Sequence, residues 1–182
     1  DGVKHVSIAS VPGMKERTVY VSGFSKAFAM TGWRMGYVCA PAEIDEAMFK
    51  IHQYGIMCAP ITSQYASIEA LKDGFSDNFA TVEEMRDSYD KRRKFVLHSV
   101  AESGLQCFEP QGAFYAFPSV KSSGLDAETF AEKLLRQEKV AVVPGVAFGS
   151  FGGNNVRLSY ATSMQSLSKA FDRMDAFLQS LK

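Results

Sequence analysis

The stretch that decides the fold reads Thr18-Val19-Tyr20-Val21-Ser22-Gly23-Phe24-Ser25-Lys26, and Gly32-Trp33-Arg34-Met35-Gly36-Tyr37 follows closely. Alternation and β-branching over 18–22 predict a strand, and the small residues after it predict a turn around Lys26. A lysine amine attacks a carbonyl once burial or a neighbouring cation favours its neutral form. Arg34 offers a planar fork that grips a phosphate through two N–H donors. Ser22 and Ser25 add hydroxyls, and Gly23 removes a side chain where backbone approaches a ligand. Together these residue types suit covalent capture of an aldehyde cofactor that carries a phosphate. A Ser-Lys dipeptide taken alone reads more readily as a surface lysine beside an arginine in an ordinary ion pair, because short motifs recur by chance.

The full string over 22–37 resembles the cofactor-lysine signature of class I/II pyridoxal phosphate-dependent aminotransferases, the aspartate-aminotransferase-like group of fold type I. The resemblance implies pyridoxal 5'-phosphate as cofactor, Lys26 as the catalytic lysine that bonds its aldehyde, and Arg34 as a phosphate ligand. Members of the family carry a phosphate-binding serine three residues before the lysine. Gly23 stands there in this chain, so Ser22 or Ser25 is expected to take the role. Asn155-Val156-Arg157-Leu158-Ser159-Tyr160-Ala161 is similar to the family's strand for the substrate α-carboxylate, which makes Arg157 the substrate-binding residue. Pattern alone reads Arg157 first as a structural ion pair, with the glycine-rich run 149–153 before it as a mobile segment. Gly112-Ala113-Phe114-Tyr115 and Val143-Pro144-Gly145-Val146-Ala147-Phe148-Gly149 are similar to further landmarks of the family's small domain.

The fold class implied is α/β. Residues 1–75 would be a remnant of the large-domain sheet that binds the cofactor, 76–104 a long bridging helix, and 105–182 a small C-terminal α+β domain. Only the later part of the family's pattern is present. The aspartate that pairs with the pyridine nitrogen is expected upstream, and the context of Asp1 does not match it. The start lacks a methionine and an apolar leader, so the chain reads as cut from something longer and is expected in the cytoplasm. The expected reaction is transamination between an amino acid and a 2-oxo acid, with the fragment alone inactive. Two alternatives stay open: another fold-type I chemistry (a lyase or α-oxoamine synthase), and a non-catalytic oligomerisation or binding fragment. A homodimer is expected, with the irregular segment 53–60 either at its interface or in the core.

Composition sets the bounds. Across 182 residues the 20 basic and 20 acidic side chains cancel, so no net field invites nucleic acid or an anionic membrane. No apolar run approaches the roughly 20 residues of a membrane span. Cys39, Cys58 and Cys107 are widely spaced, as are His5, His52 and His98, and no metal-ligand pattern emerges. Cys39 lies in an apolar run and is expected to be a buried free thiol. Lys26 is followed by Ala27 rather than a magnesium-binding hydroxyl, and the glycines near Gly145 fail the dinucleotide spacing.

The remaining periodicities predict elements in order. A buried strand is expected over 35–39, and helices over 41–53, 60–74 and from Asp77 to Gly104. The first two helices would face inward through Ile44, Met48 and Ile51, and through Tyr65, Ile68 and Leu71. Lys91-Arg92-Arg93-Lys94 reads as a solvated helix face, supported by pairs of Asp87 with Lys91 and Asp90 with Lys94. Strands are expected over 108–112, 113–117, 140–143 and 155–160. A helix capped by Asp126 would bury Phe130, Leu134 and Leu135, and a last amphipathic helix runs over 166–181.

Overall fold

The computed structural model describes residues 2–181; Asp1 lies outside them. Two compact units meet in sequence between Glu84 and Met85.

In unit 1, strands β1 (Tyr20–Gly23) and β2 (Gly36–Cys39) pair antiparallel, with Tyr20 opposite Cys39 and Gly23 opposite Gly36. β1 starts two residues later than the alternation suggests, because the Thr18 hydroxyl donates to the Met14 carbonyl at 2.7 Å and closes the 3-10 turn Lys15–Arg17. β2 is exposed along its length, contrary to the expected burial, and Cys39 is an exposed thiol. The physical reason is the sheet itself: among the described residues it has two strands and no covering layer.

Helix α1 (Ala42–Gly55) starts at Pro41, whose carbonyl accepts from Ile44 and Asp45. Glu43 and Asp45 in its first turn suit the positive end of the helix. Its expected apolar face is open: Ile44 and Ile51 are exposed and Met48 is half-buried.

Helix α2 (Ile61–Asp77) reverses the expected orientation. Tyr65 and Ile68 are exposed and Leu71 is half-buried, while Ser63, Ser67 and Gly74 are buried. Small residues let other backbone come close, and hydroxyls on a helix satisfy themselves locally. The Ser67 hydroxyl donates to the Ser63 carbonyl at 2.8 Å, and Ser63 donates to the Trp33 carbonyl at 2.6 Å. Gly74 does not stop this helix. The Phe79 ring lies over it, 2.5 Å from where a Cβ would stand. The stop comes at Asn78 and Phe79, both left-handed, with φ of 56° and 59°. Asp77, expected to open the next helix, closes α2 and accepts from the Ala80 amide at 3.2 Å.

Helix α3 (Ala80–Glu102) ends as the glycine signal requires. Gly104 is left-handed with φ 74°; its amide donates to the Ala101 carbonyl and the Leu105 amide to the Val100 carbonyl. Leu105 and Val100 are both buried, completing the hydrophobic contact of such a terminus. The basic run on α3 is not uniformly solvated. Arg93 is buried, with its Nε and Nη2 on Asp90 Oδ1 at 3.1 and 2.8 Å and its Nη1 on Glu109 Oε1 at 2.6 Å. Asp90 also meets Lys94 at 2.7 Å as expected, whereas Asp87 pairs with Arg86.

Unit 2 is built on a three-stranded antiparallel sheet in the order β3 (Tyr115–Ala116), β5 (Val156–Ser159), β4 (Val143–Pro144). Val156 and Leu158 are buried while Arg157 is not, the alternation that the sequence predicts. Helices α4 (Ala127–Glu138) and α5 (Met164–Ser180) complete the core, where Phe130 and Phe177 meet edge to face at 5.3 Å. Asp126 caps α4 by accepting from the Glu128 and Thr129 amides, and the Thr129 amide is the first cause of its lowered carboxyl pKa. Leu135 is exposed, because it lies one residue (about 100° of helix) beyond the buried Leu134. Phe177 takes the core volume instead. No strand forms at 108–112, and β3 and β4 shrink to two residues each. Arg93 holds the first of these segments to α3 through Glu109 and the Pro110 carbonyl, which commits that carbonyl to the helix side chain rather than to a strand partner.

Two consequences can be measured. The hydrogen bonds from Lys94, then Arg93, lower the Asp90 carboxyl from 3.8 to about 2. A carboxyl depressed in the folded state stabilises above its unfolded pKa, and that contribution fades as pH falls through the folded value. Asp90→Asn is expected to lower the urea midpoint of unit 2 near neutral pH and to converge with the parent as pH approaches about 2; a gap that stays constant over that range contradicts the ion-pair account. Phe177→Ala removes a fully buried ring and is expected to destabilise unit 2 by about 3–5 kcal/mol in the same assay.

Candidate active site

Loop 24–35 joins β1 to β2 and carries the lysine and the arginine. Its anchors are apolar. Phe24 and Met30 are buried, and the Phe24 ring packs against Phe28 and Tyr37 at 5.3 and 5.8 Å. The Phe24 amide donates to the Met35 carbonyl, and the Phe24 carbonyl accepts from Phe28 and Met30. This leaves Ser25, Lys26 and Ala27 on the outside of a tight turn, with Lys26 exposed and its carbonyl accepting from Ala29.

Arg34 follows the 3-10 turn Thr31–Trp33 in a left-handed conformation, φ 54°. Ala29 shares that conformation at φ 52°. Non-glycine residues adopt it at a cost, so the surroundings must hold them there. Three bonds do so. Thr31 donates from its hydroxyl to the Ser25 carbonyl at 3.0 Å, tying the lysine end of the loop to the arginine end. Arg34 Nη1 donates to the Thr31 carbonyl at 2.8 Å, which fixes the guanidinium and leaves further N–H donors unspent there. Ser63 on α2 holds the Trp33 carbonyl, one residue before Arg34.

Ser22 lies in β1 opposite Tyr37, and Ser25 opens the turn; both are half-buried. Gly23 serves the strand pair rather than a ligand. A Cβ at Gly23 would stand 3.1 Å from the Met35 carbonyl oxygen, and one at Gly36 would stand 3.1 Å from the Ser22 oxygen. The backbones are close enough that a side chain at either position would make the facing backbone give way slightly.

Arg157 belongs to unit 2. Its Cζ lies 4.4 Å from the centre of the Tyr115 ring and 4.5 Å from that of Phe148. Phe148 ends the 3-10 turn Gly145–Phe148, and a second turn, Ser150–Asn154, follows at once. Thus the glycine-rich run expected to be mobile is folded. The Gly145 amide donates to the Asn155 carbonyl at 2.7 Å, and Gly145 and Gly152 touch backbone to backbone where no side chain fits. In the same unit a crevice of about 350 Å³ lies beside Val142, Leu158, Thr162, Lys169 and Phe171, and its lining does not include Arg157.

Sequence reading missed the supports: Ser63 under the loop, Tyr115 and Phe148 on Arg157, and Arg93 at the foot of the segment leading to β3. Only a serine spacing of four on α2 hinted at the first. Among the described residues, no helix is long and apolar enough to cross a membrane, and no group of three or more His, Cys, Asp and Glu side chains could hold a metal ion.

Comparison with known proteins identifies the family. Residues 2–174 match the family Aminotransferase class I and II. A putative aminotransferase of Bacillus subtilis is 58% identical over 172 residues, covering 94% of this chain and 44% of that protein. An aspartate aminotransferase of Pyrococcus abyssi is 51% identical over the whole chain and 46% of its own length. The crystal structure of an aromatic aminotransferase from Pyrococcus horikoshii superposes with a TM-score of 0.91 at 49% identity, over 99% of this chain and 48% of that one. The chain therefore spans less than half the length of the relatives it matches. Its sequence and its fold place the protein in the class I and II aminotransferases, a family that depends on pyridoxal phosphate.

Proposed function

We propose that loop 24–35 with the end of β1 forms a cradle for pyridoxal phosphate, and that Arg157 holds the substrate α-carboxylate, in an enzyme that moves an amino group between an amino acid and a 2-oxo acid. One observation carries the reading. One loop, closed by the Thr31–Ser25 bond, carries Ser25, Lys26 and Arg34, with Ser22 in the strand that leads into it, in a chain of this family. That donor set fits an aldehyde with a phosphate tail. Arg34 keeps N–H donors beyond the one given to Thr31, and Ser22 and Ser25 make no side-chain hydrogen bond among the described residues.

The cofactor supplies an aldehyde for attachment and an electron sink for charge developing at the substrate α-carbon. Arg34 binds and orients the phosphate, with Ser22 or Ser25 donating beside it. Lys26 Nζ would hold the cofactor between turnovers; released when the substrate amine takes its place, it would accept the α-proton as base and deliver it as acid to the carbon of the former aldehyde. Arg157 presents a planar edge to the α-carboxylate. The relatives named as aspartate and aromatic aminotransferases support an amino-acid substrate and leave its side chain open.

In the same reading residues 1–75 are part of a large cofactor-binding domain, 76–104 a bridging helix and 105–182 a small domain, within a cytoplasmic homodimer. The exposed side chains of Tyr54, Ile56 and Met57 support an interface role for 53–60 over core packing. The chain by itself would not be a competent transaminase. Lys26 and Arg34 are exposed, and Phe49, Ile51, Tyr65 and Phe75 leave α1 and α2 with apolar faces that call for cover.

Borohydride reduction of the cofactor-loaded protein, followed by peptide mass mapping, tests the assignment. A pyridoxyl mass is expected on the peptide that contains Lys26 and is expected to vanish in Lys26→Ala; label on another lysine would refute the cradle. Arg34→Ala is expected to weaken cofactor binding at least about tenfold, through loss of a bidentate phosphate contact. The isolated 182-residue chain is expected to show no turnover with amino acid and 2-oxo acid pairs, and measurable turnover would overturn that part of the reading.

A further inference from the structure

Two arginines in unit 2 are held in opposite ways. Arg93 gives its N–H donors to Asp90, Glu109 and the Pro110 carbonyl, so it has a structural role. Arg157 makes no hydrogen bond or ion pair among the described residues, and its guanidinium rests on the Tyr115 and Phe148 rings. An aromatic face attracts a cation but takes none of its in-plane hydrogen bonds. The two rings therefore hold the guanidinium in place while leaving its donors for a ligand.

The rings approach from either side of the strand that carries Arg157. Tyr115 lies on β3, paired with Ser159, and Phe148 follows β4, which pairs with Arg157 itself through Val143. Both rings are set in advance. The Tyr160 amide donates to the Phe114 carbonyl and holds the entry to β3, and Phe114 packs on Tyr115 at 4.7 Å. Phe148 meets the Phe117 ring edge to face at 6.1 Å, and the Gly145–Gly152 contact fixes the turn on which it sits.

This geometry discriminates by shape. A carboxylate that accepts two parallel bonds from a guanidinium lies in the guanidinium plane. A sulfonate or phosphonate is tetrahedral, and with two oxygens on the donors its third oxygen stands out of that plane, towards a ring face. We propose that Tyr115 and Phe148 form a slot around Arg157 that admits planar carboxylates and turns away tetrahedral oxyanions. This rests on the reading of Arg157 as the carboxylate ligand. Tyr115 and Phe148 are positioning residues in it, acting through the guanidinium.

The test is a ligand-observed NMR titration of the cofactor-loaded protein with propionate and ethanesulfonate, which share an ethyl group and a charge and differ in shape. The parent is expected to prefer propionate by at least about fivefold. Phe148→Ala and Tyr115→Ala are expected to bring the preference close to one, while Tyr115→Phe, which keeps the ring, retains it. Phe148 is half exposed, so its truncation puts little at risk in the core, and unchanged circular dichroism of each variant confirms folding. If Arg157→Ala leaves propionate binding intact, the carboxylate reading fails and the slot with it. If Arg157→Ala abolishes binding but removing either ring leaves the preference unchanged, the slot alone is overturned.

Discussion

The antiparallel pairing of β1 with β2 sets Gly23 opposite Gly36, so tightly that an added Cβ at either would meet backbone oxygen at 3.1 Å, and the loop of unit 1 is built on that pairing. It returns the chain on itself after Ser22 and forces the residues between the two glycines into one loop. The apolar residues of that loop, Phe24 and Met30, occupy the inside. The polar ones have only the outside left, so Lys26 and Arg34 are both exposed on the same loop. Ser63 and Thr31 then hold the strained end of the loop in place.

Unit 2 solves a different problem, how to keep an arginine ordered without using up its hydrogen-bonding capacity. Salt bridges order a guanidinium by consuming its donors, as Arg93 shows with Asp90 and Glu109. Ring faces order Arg157 by dispersion and by attraction to the π-quadrupole, and no donor is lost. The segment that Arg93 holds through the exposed Glu109 runs on to β3, where Tyr115 begins the strand.

Much of this was legible in the sequence, and what was not follows a pattern. Alternation around Arg157, the Asp126 cap, the Gly104 stop and the inward stripe of Leu167, Phe171 and Met174 all reflect local rules, and all appear. The resemblance carried by 22–37 led to the right family. Failures came where packing partners decide. Tyr65 and Ile68 look like a core face, but the small residues Ser63, Ser67 and Gly74 sit inside because the Trp33 carbonyl at one end and the Phe79 ring at the other come too close for larger side chains. β2 looks buried because buried strands are apolar, yet hydropathy states what a strand can bury and not what covers it. Arg93 looked like its neighbours Arg92 and Lys94. Only the long-range contact with Glu109 sets it apart, and no window of sequence contains that contact.

The three cysteines of this chain differ in how they would meet air. Cys39 and Cys58 present exposed thiols, whereas Cys107 is partly covered, and burial raises its pKa. Thiolate and access together govern oxidation. A purified chain kept without a reductant would join copies through Cys39 and Cys58 and spare Cys107, so a ladder of disulfide-linked species on a non-reducing gel would record surface chemistry rather than any native assembly.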